Sequence, residues 1–134
     1  MGYKIMNVIL SIKPKYVEQI INGSKKFEYR KKLFKQTVDK VYIYSTSPEK
    51  KIIGYFKYTG YIQMSPYDLW ISTSYASGID KNSFMEYFKK KEIGYALIVS
   101  DLFIFEDGID PHKYITNFVA PQSFMYIEGD VEYE

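Results

Sequence analysis

The spacing of apolar residues at the start of the chain predicts a strand followed at once by a helix. Residues 7–12 form a short apolar run, which is typical of a buried strand. Pro14 suits the first turn of a helix, where its missing N–H is harmless, and Asn22-Gly23 supplies a left-handed stop. Four apolar residues recur at helical spacing between them: Tyr16, Val17, Ile20 and Ile21.

Most of the remaining chain is predicted as strands. Residues 26–30 alternate, which places Phe27 and Tyr29 on one face and Lys26, Glu28 and Arg30 on the other. Further strands are predicted over three ranges and a last extended segment over a fourth: 38–44, 52–64, 94–105 and 121–127. Gly54 and Gly60 mark bulges or bends within the second of these.

Two short helices interrupt the strands. Ser65-Pro66 opens one that carries Leu69 and Trp70. Asp80 or Asn82 caps the other, which contains a set of apolar residues: Phe84, Met85, Tyr87 and Phe88. We interpret Trp70 as a core or helix-anchoring residue. This order predicts an α+β fold, a small mixed β-barrel with two or three short helices in one domain over residues 1–134.

Composition excludes several kinds of site. The chain has no cysteine and one histidine, His112, so disulfides, thiolate zinc sites and histidine-based triads are excluded. We expect no metal and no cofactor. There is no apolar run of about 18 residues and no cleavable leader pattern, which predicts a soluble cytoplasmic protein without a membrane span. We expect a monomer or a weak dimer.

The net charge of +2 conceals a strong asymmetry along the chain. Residues 13–40 carry a net charge of +6, whereas residues 101–134 carry −7. A local basic run is the electrostatic signature of nucleic-acid binding, although both runs could also be solvated faces. The acidic end could instead fold back on the basic region or bind a basic partner, which leaves a protein-interaction module as an alternative.

The basic run contains the only arginine of the chain, Arg30, in the spacing G-x-K-x-x-E-x-R formed by Gly23, Lys25, Glu28 and Arg30. Arginine differs from lysine where a carboxylate, a phosphate or a base edge must be held by two parallel hydrogen bonds. Glu28 and Arg30 could pair with each other on one strand face, or each could contact a ligand.

The segments SIKPKYVEQIINGSKKFEYRKK and VDKVYIYSTSPEKKIIGYF resemble an ASCH domain of the PUA-like superfamily, as do SGIDKNSFMEYFKKKEIGYAL and APQSFMYI. The resemblance implies a PUA-like barrel with an RNA-binding cleft beside the first helix, and a role as a regulator of transcription or translation. Eight residues are expected to form the site: Ser11, Lys13, Lys15, Lys25, Glu28, Arg30, Tyr44 and Ser45. In this hypothesis the lysines and Arg30 meet RNA phosphates and Tyr44 or Tyr29 stacks an unpaired base. We expect both Lys25 and Arg30 to be exposed, so Arg30→Ala and Lys25→Ala should weaken RNA binding and change thermal stability by less than about 1 kcal/mol.

Catalysis is an alternative to binding alone. Some small ASCH proteins similar to this chain are amidohydrolases that act on acetylated cytidine, with a nucleophilic threonine where this chain has Glu28. A carboxylate cannot act as that hydroxyl, so their mechanism does not transfer directly. A ribonuclease with Lys25 as acid or electrostatic stabiliser and Glu28 as base remains open.

Overall fold

In the computed structural model, which describes residues 4–131, six strands form one mixed sheet. The strands are β1 (Met6–Ile12), β2 (Phe27–Arg30), β3 (Lys40–Ser45), β4 (Lys51–Met64), β5 (Gly94–Ile109) and β6 (Phe124–Glu128). The α-helices are α1 (Pro14–Asn22), α2 (Pro66–Thr73) and α3 (Lys81–Tyr87), with 3-10 turns at Ser74–Ala76 and Pro111–Lys113. This architecture confirms the predicted α+β class.

The strand order is β2-β5-β4-β3-β1-β6, and β1 and β3 form the parallel pair, with Val8 opposite Val41 and Ile12 opposite Ser45. No ladder joins the two edge strands β2 and β6 within residues 4–131, so the sheet stays open where a closed barrel was expected. β2 is only four residues long and pairs on one side with β5. A cleft occupies the space between its free edge and the end of β1.

Residues with strong local preferences lie at the helix ends and strand bulges that the sequence predicts. Gly23 ends α1 with a φ of +87°, and Ser65 and Asp80 cap α2 and α3 by accepting hydrogen bonds from backbone N–H groups. The β4–β5 register shifts next to Gly54 and again around Gly60, as the bulge prediction required. β5 extends to Ile109, beyond the predicted end at residue 105.

Alternating side chains of β1 enter different clusters of the core. Val8, Leu10 and Ile12 face α1, which contributes Val17 and Ile20 to the same cluster. Ile9 lies on the opposite face, in a cluster that includes several aromatic residues of neighbouring segments: Tyr42, Tyr44, Phe105 and Phe118. The apolar contacts of α1 therefore hold its first turn beside the end of β1.

β2 places the motif by the same alternation. Phe27 and Tyr29 enter a third cluster with Leu69 of α2, Phe84 of α3 and Phe88, which follows α3. Glu28 and Arg30 consequently point to the other face, where Arg30 contacts the backbone of Ser11. Lys26 precedes the strand and is exposed. None of the helices within residues 4–131 has the length and apolarity needed to cross a membrane.

Candidate functional site

A cleft of about 780 Å³ opens between α1, β2, α3 and the end of β1. We call it the α1–α3 cleft. It is lined by four cationic residues (Lys13, Lys15, Lys25 and Arg30), two carboxylates (Glu28 and Glu86), three tyrosines (Tyr16, Tyr29 and Tyr87) and further residues that include Ser11, Thr46, Asn82, Ser83 and Gln122. The cationic residues therefore outnumber the acids in the lining.

Lys25 lies at the floor of the cleft and is only 3% exposed. Its Nζ donates a hydrogen bond to the Ser77 carbonyl at 2.7 Å and lies 3.9 Å from Glu28 Oε1. The rings of Tyr29 and Tyr16 also face this nitrogen, at 4.8 and 5.3 Å from their centroids. Burial lowers the pKa of Lys25, and the neighbouring Glu28 carboxylate only partly opposes this effect.

Glu28 is 6% exposed and lies between two cations. Its Oε2 accepts hydrogen bonds from Arg30 Nε at 3.1 Å and Arg30 Nη2 at 2.5 Å, while Oε1 faces Lys25. Of the two alternatives that the sequence left open, the structure shows Glu28 paired with Arg30. We call the three residues Lys25, Glu28 and Arg30 the charged triplet.

Arg30 also connects the two edges of the open sheet. Its Nη2 donates to the Ser11 carbonyl on β1 at 2.9 Å, and its Nη1 donates to Ser123 Oγ, just before β6, at 3.3 Å. Four of its five N–H groups thus donate hydrogen bonds inside the protein, and the second N–H of Nη1 has no acceptor among residues 4–131. The side chain of Arg30 is 13% exposed and that of Lys25 is 2% exposed, so the expectation that both are exposed residues is wrong.

Lys13 and Lys15 differ from the charged triplet because both are exposed. Within residues 4–131, no carboxylate lies within ion-pair distance of either side chain. Lys13 is the N-cap residue of α1, and Pro14 follows it in the first turn. The positive end of the helix dipole therefore adds to the charge of these two lysines at the mouth of the cleft.

The wall formed by α3 was not predicted as part of the site. Asn82, Ser83, Glu86 and Tyr87 all line the cleft, whereas the sequence analysis used this helix only for its apolar residues and its cap. Burial raises the pKa of Tyr87, and Lys31 Nζ lies 4.5 Å from the centre of its ring. The spacing 82, 83, 86, 87 is that of one helix face, a signal that the sequence does contain.

Two of the eight expected site residues lie outside the cleft lining. Tyr44 is buried and packs against Phe118, with ring centroids 5.5 Å apart, so its ring offers no stacking surface to a ligand in this structure. Ser45 is fully buried, and its Oγ has no hydrogen-bond partner among the described residues. Both belong to β3, a central strand covered on its two faces, and the cleft is reached only by the following residue, Thr46.

Two other residues that the sequence analysis singled out, Trp70 and His112, do not line the cleft. Trp70 packs against Phe84, with ring centroids 5.0 Å apart, in agreement with its predicted anchoring role. His112 is exposed, and its Nδ1 lies 3.0 Å from Asp110 Oδ1. Among residues 4–131, no cluster of three or more histidine or acidic side chains could hold a metal ion.

The fold and the cleft define a class of small α+β domain with an open mixed sheet and a cation-rich cleft beside its first helix. Residues 10–104 match the family model described as the ASCH domain, so the chain belongs to the ASCH domain family. This result confirms the resemblance inferred from the sequence.

Individual relatives agree with the family assignment. An ASCH domain-containing ribonuclease of Zymomonas mobilis is 25% identical over 125 residues, covering 91% of this chain and 84% of the relative. The crystal structure of ASCH from Zymomonas mobilis shares the fold with a TM-score of 0.82 and 22% identity, covering 90% of this chain and 87% of that one. A stretch of ATP synthase subunit alpha of Ureaplasma parvum is 26% identical over 122 residues, but the match covers only 15% of that protein.

Proposed function

We propose that this chain is an RNA-binding ASCH domain that holds single-stranded RNA in the α1–α3 cleft and regulates transcription or translation through that binding. The observation that carries the proposal is the pair of exposed lysines, Lys13 and Lys15, at the mouth of a cleft of about 780 Å³. Within residues 4–131 neither lysine has an ion-pair partner. Such cations are available to neutralise phosphates.

The interior of the cleft suits the other parts of a nucleotide. The half-buried rings of Tyr16 and Tyr87 line it and offer surfaces on which an unpaired base can stack. The charged triplet has a net charge of +1 at the floor of the cleft, and within residues 4–131 one N–H of Arg30 has no acceptor. An anionic ligand is therefore attracted at the mouth and is not repelled at the floor.

Hydrolysis of RNA is a second candidate function. It is favoured by the buried contact between Lys25 and Glu28, in which the lysine has a lowered pKa, and by the naming of the Zymomonas mobilis relative as a ribonuclease. A lysine with a pKa closer to neutrality exchanges its proton more readily, so Lys25 could protonate a leaving oxygen. Both oxygens of Glu28 already face cations, which makes this carboxylate a weak base in the present arrangement.

One experiment separates these possibilities. Labelled single-stranded RNA is titrated with the protein at several salt concentrations, and the same mixtures are analysed by gel electrophoresis over time. Binding that weakens steeply with salt, with intact RNA, supports a binding function; salt-dependent binding followed by cleavage supports the ribonuclease. Absence of binding at low salt contradicts the proposal and favours the protein-interaction alternative.

The amidohydrolase alternative requires its own assay. Acetylated cytidine is incubated with the protein and the release of acetate is followed. We expect no turnover, because Glu28 stands where the related amidohydrolases have their threonine and its carboxylate is held by Arg30. Any turnover would contradict this expectation, and its loss in Glu28→Gln would show that the reaction requires this carboxylate.

A further inference from the structure

The helix α3 presents a distinct chemical surface to the cleft. Asn82 and Glu86 are one helical turn apart, as are Ser83 and Tyr87, so the four side chains form two adjacent rows on one face. Phe84 lies on the other side of the helix, fully buried in the core. The core contact fixes the helix and leaves the polar rows facing the cleft.

The charges of the two cleft walls differ. Glu28 is neutralised by Lys25 and Arg30, whereas within residues 4–131 no cation lies within ion-pair distance of Glu86, which is exposed. An unpaired carboxylate repels a phosphate, and the lysines at the start of α1 attract one. The phosphates of a bound strand should therefore lie on the α1 side, and the base should point toward α3.

We propose that α3 reads the base, and that it selects a base with an exocyclic amino group, such as adenine or cytosine, over uracil, which has none. This inference rests on the proposed RNA-binding function. The Glu86 carboxylate can only accept hydrogen bonds, so it suits an exocyclic amino group with its two N–H donors, whereas uracil offers it a single N3–H flanked by two carbonyl oxygens that repel it. Asn82 adds an amide that can both donate and accept, and the Tyr87 ring provides a stacking surface.

The test compares oligoribonucleotides of equal length that contain only adenine, only cytosine or only uracil. Fluorescence anisotropy should show binding to the uracil strand about tenfold weaker than to the other two. Glu86→Gln replaces one acceptor oxygen with a donor, so we expect this preference to shrink by most of that factor. Glu92→Gln removes the same charge from an exposed residue outside the cleft lining and should leave the preference unchanged.

The outcomes distinguish the two proposals. If none of the three strands binds, the RNA-binding function itself fails. If all three bind equally, or if Glu86→Gln and Glu92→Gln change every affinity by the same factor, the reading of the base by α3 is overturned while RNA binding stands. Because Glu86 is exposed, thermal melting should be unchanged in Glu86→Gln, which confirms that the altered preference does not arise from partial unfolding.

Discussion

Replacing Arg30 with methionine should destabilise the fold, even though Arg30 lies in a ligand-sized cleft. The substitution removes both hydrogen bonds to Glu28 and the links to Ser11 and Ser123. The Glu28 carboxylate, in a residue that is 6% exposed, is then left with Lys25, at 3.9 Å, as its one ion-pair partner among residues 4–131. Removing one partner of a buried ion pair costs about 3–5 kcal/mol. Because the cleft admits water to one side of the pair, we expect a loss of about 3 kcal/mol in the free energy of unfolding.

A double-mutant cycle isolates the ion pair from the other contacts of Arg30. Glu28→Gln alone leaves the links to Ser11 and Ser123 in place, and in the Glu28→Gln/Arg30→Met variant no buried carboxylate is left unpaired at this position. The double variant should therefore lose less than the sum of the single losses, by about 1–3 kcal/mol. Lys26→Met is the matched control, since this cation is exposed next to β2 and should change stability by less than about 0.5 kcal/mol.

The measurement is urea-induced unfolding of the four proteins and the control at neutral pH, with the slope of the transition checked for constancy. A loss below about 1 kcal/mol for Arg30→Met, or strict additivity in the cycle, would refute the conclusion that Arg30 is first a structural link between the sheet edges. Arg30 would then be available to a ligand, as the sequence alone suggests.

Three further predictions follow from the same structure. Replacing Lys13 and Lys15 together with alanine should weaken RNA binding and lower the slope of log affinity against log salt by about 1.4, without a change in melting temperature. Burial lowers the pKa of Lys25 below 10.5, so between its native and unfolded pKa the native protein holds fewer protons than the unfolded chain. The unfolding free energy of the natural chain minus that of Lys25→Met should therefore increase as the pH is raised from 7 toward 10. A difference that stays constant over this range would contradict the lowered pKa. Gly23→Ala should cost about 1–2 kcal/mol in urea unfolding because its φ of +87° is left-handed, whereas Gly60→Ala, where a Cβ meets only ordinary contacts, should cost less.

The sequence predicted the elements because their determinants are local. Gly23, Ser65 and Asp80 end or cap helices through their own backbone and side-chain geometry, which needs no knowledge of the rest of the fold. The alternation of Phe27 and Tyr29 with Glu28 and Arg30 likewise depends only on strand periodicity, and it brought the charged pair to one face.

Features that depend on which surfaces are covered could not be predicted. Tyr44 has both an apolar ring and a polar hydroxyl, so its side chain alone does not indicate whether it is buried or exposed. It is buried because β3 lies in the interior of the sheet. The spacing of the α3 residues that line the cleft is visible in the sequence, but no local feature indicates that this helix lines the same cleft as Lys13 and Lys15. The burial of Lys25 likewise depends on contacts that are distant in sequence, since the Ser77 carbonyl that accepts its hydrogen bond is 52 residues away.

The spacing K-x-x-E-x-R follows from the way one carboxylate is shared. Lys25, three residues before Glu28, lies beside its Oε1. Arg30, two residues after Glu28 on the same strand face, donates hydrogen bonds to its Oε2. Gly78 makes room for this arrangement, because a Cβ there would lie 2.7 Å from the Cβ of Lys25. The motif therefore builds the floor of the cleft and uses most of its hydrogen-bonding capacity in doing so, which leaves the attraction of a phosphate mainly to Lys13 and Lys15. Changes in the motif should consequently alter stability and ligand binding together, whereas changes in the two exposed lysines should alter binding alone.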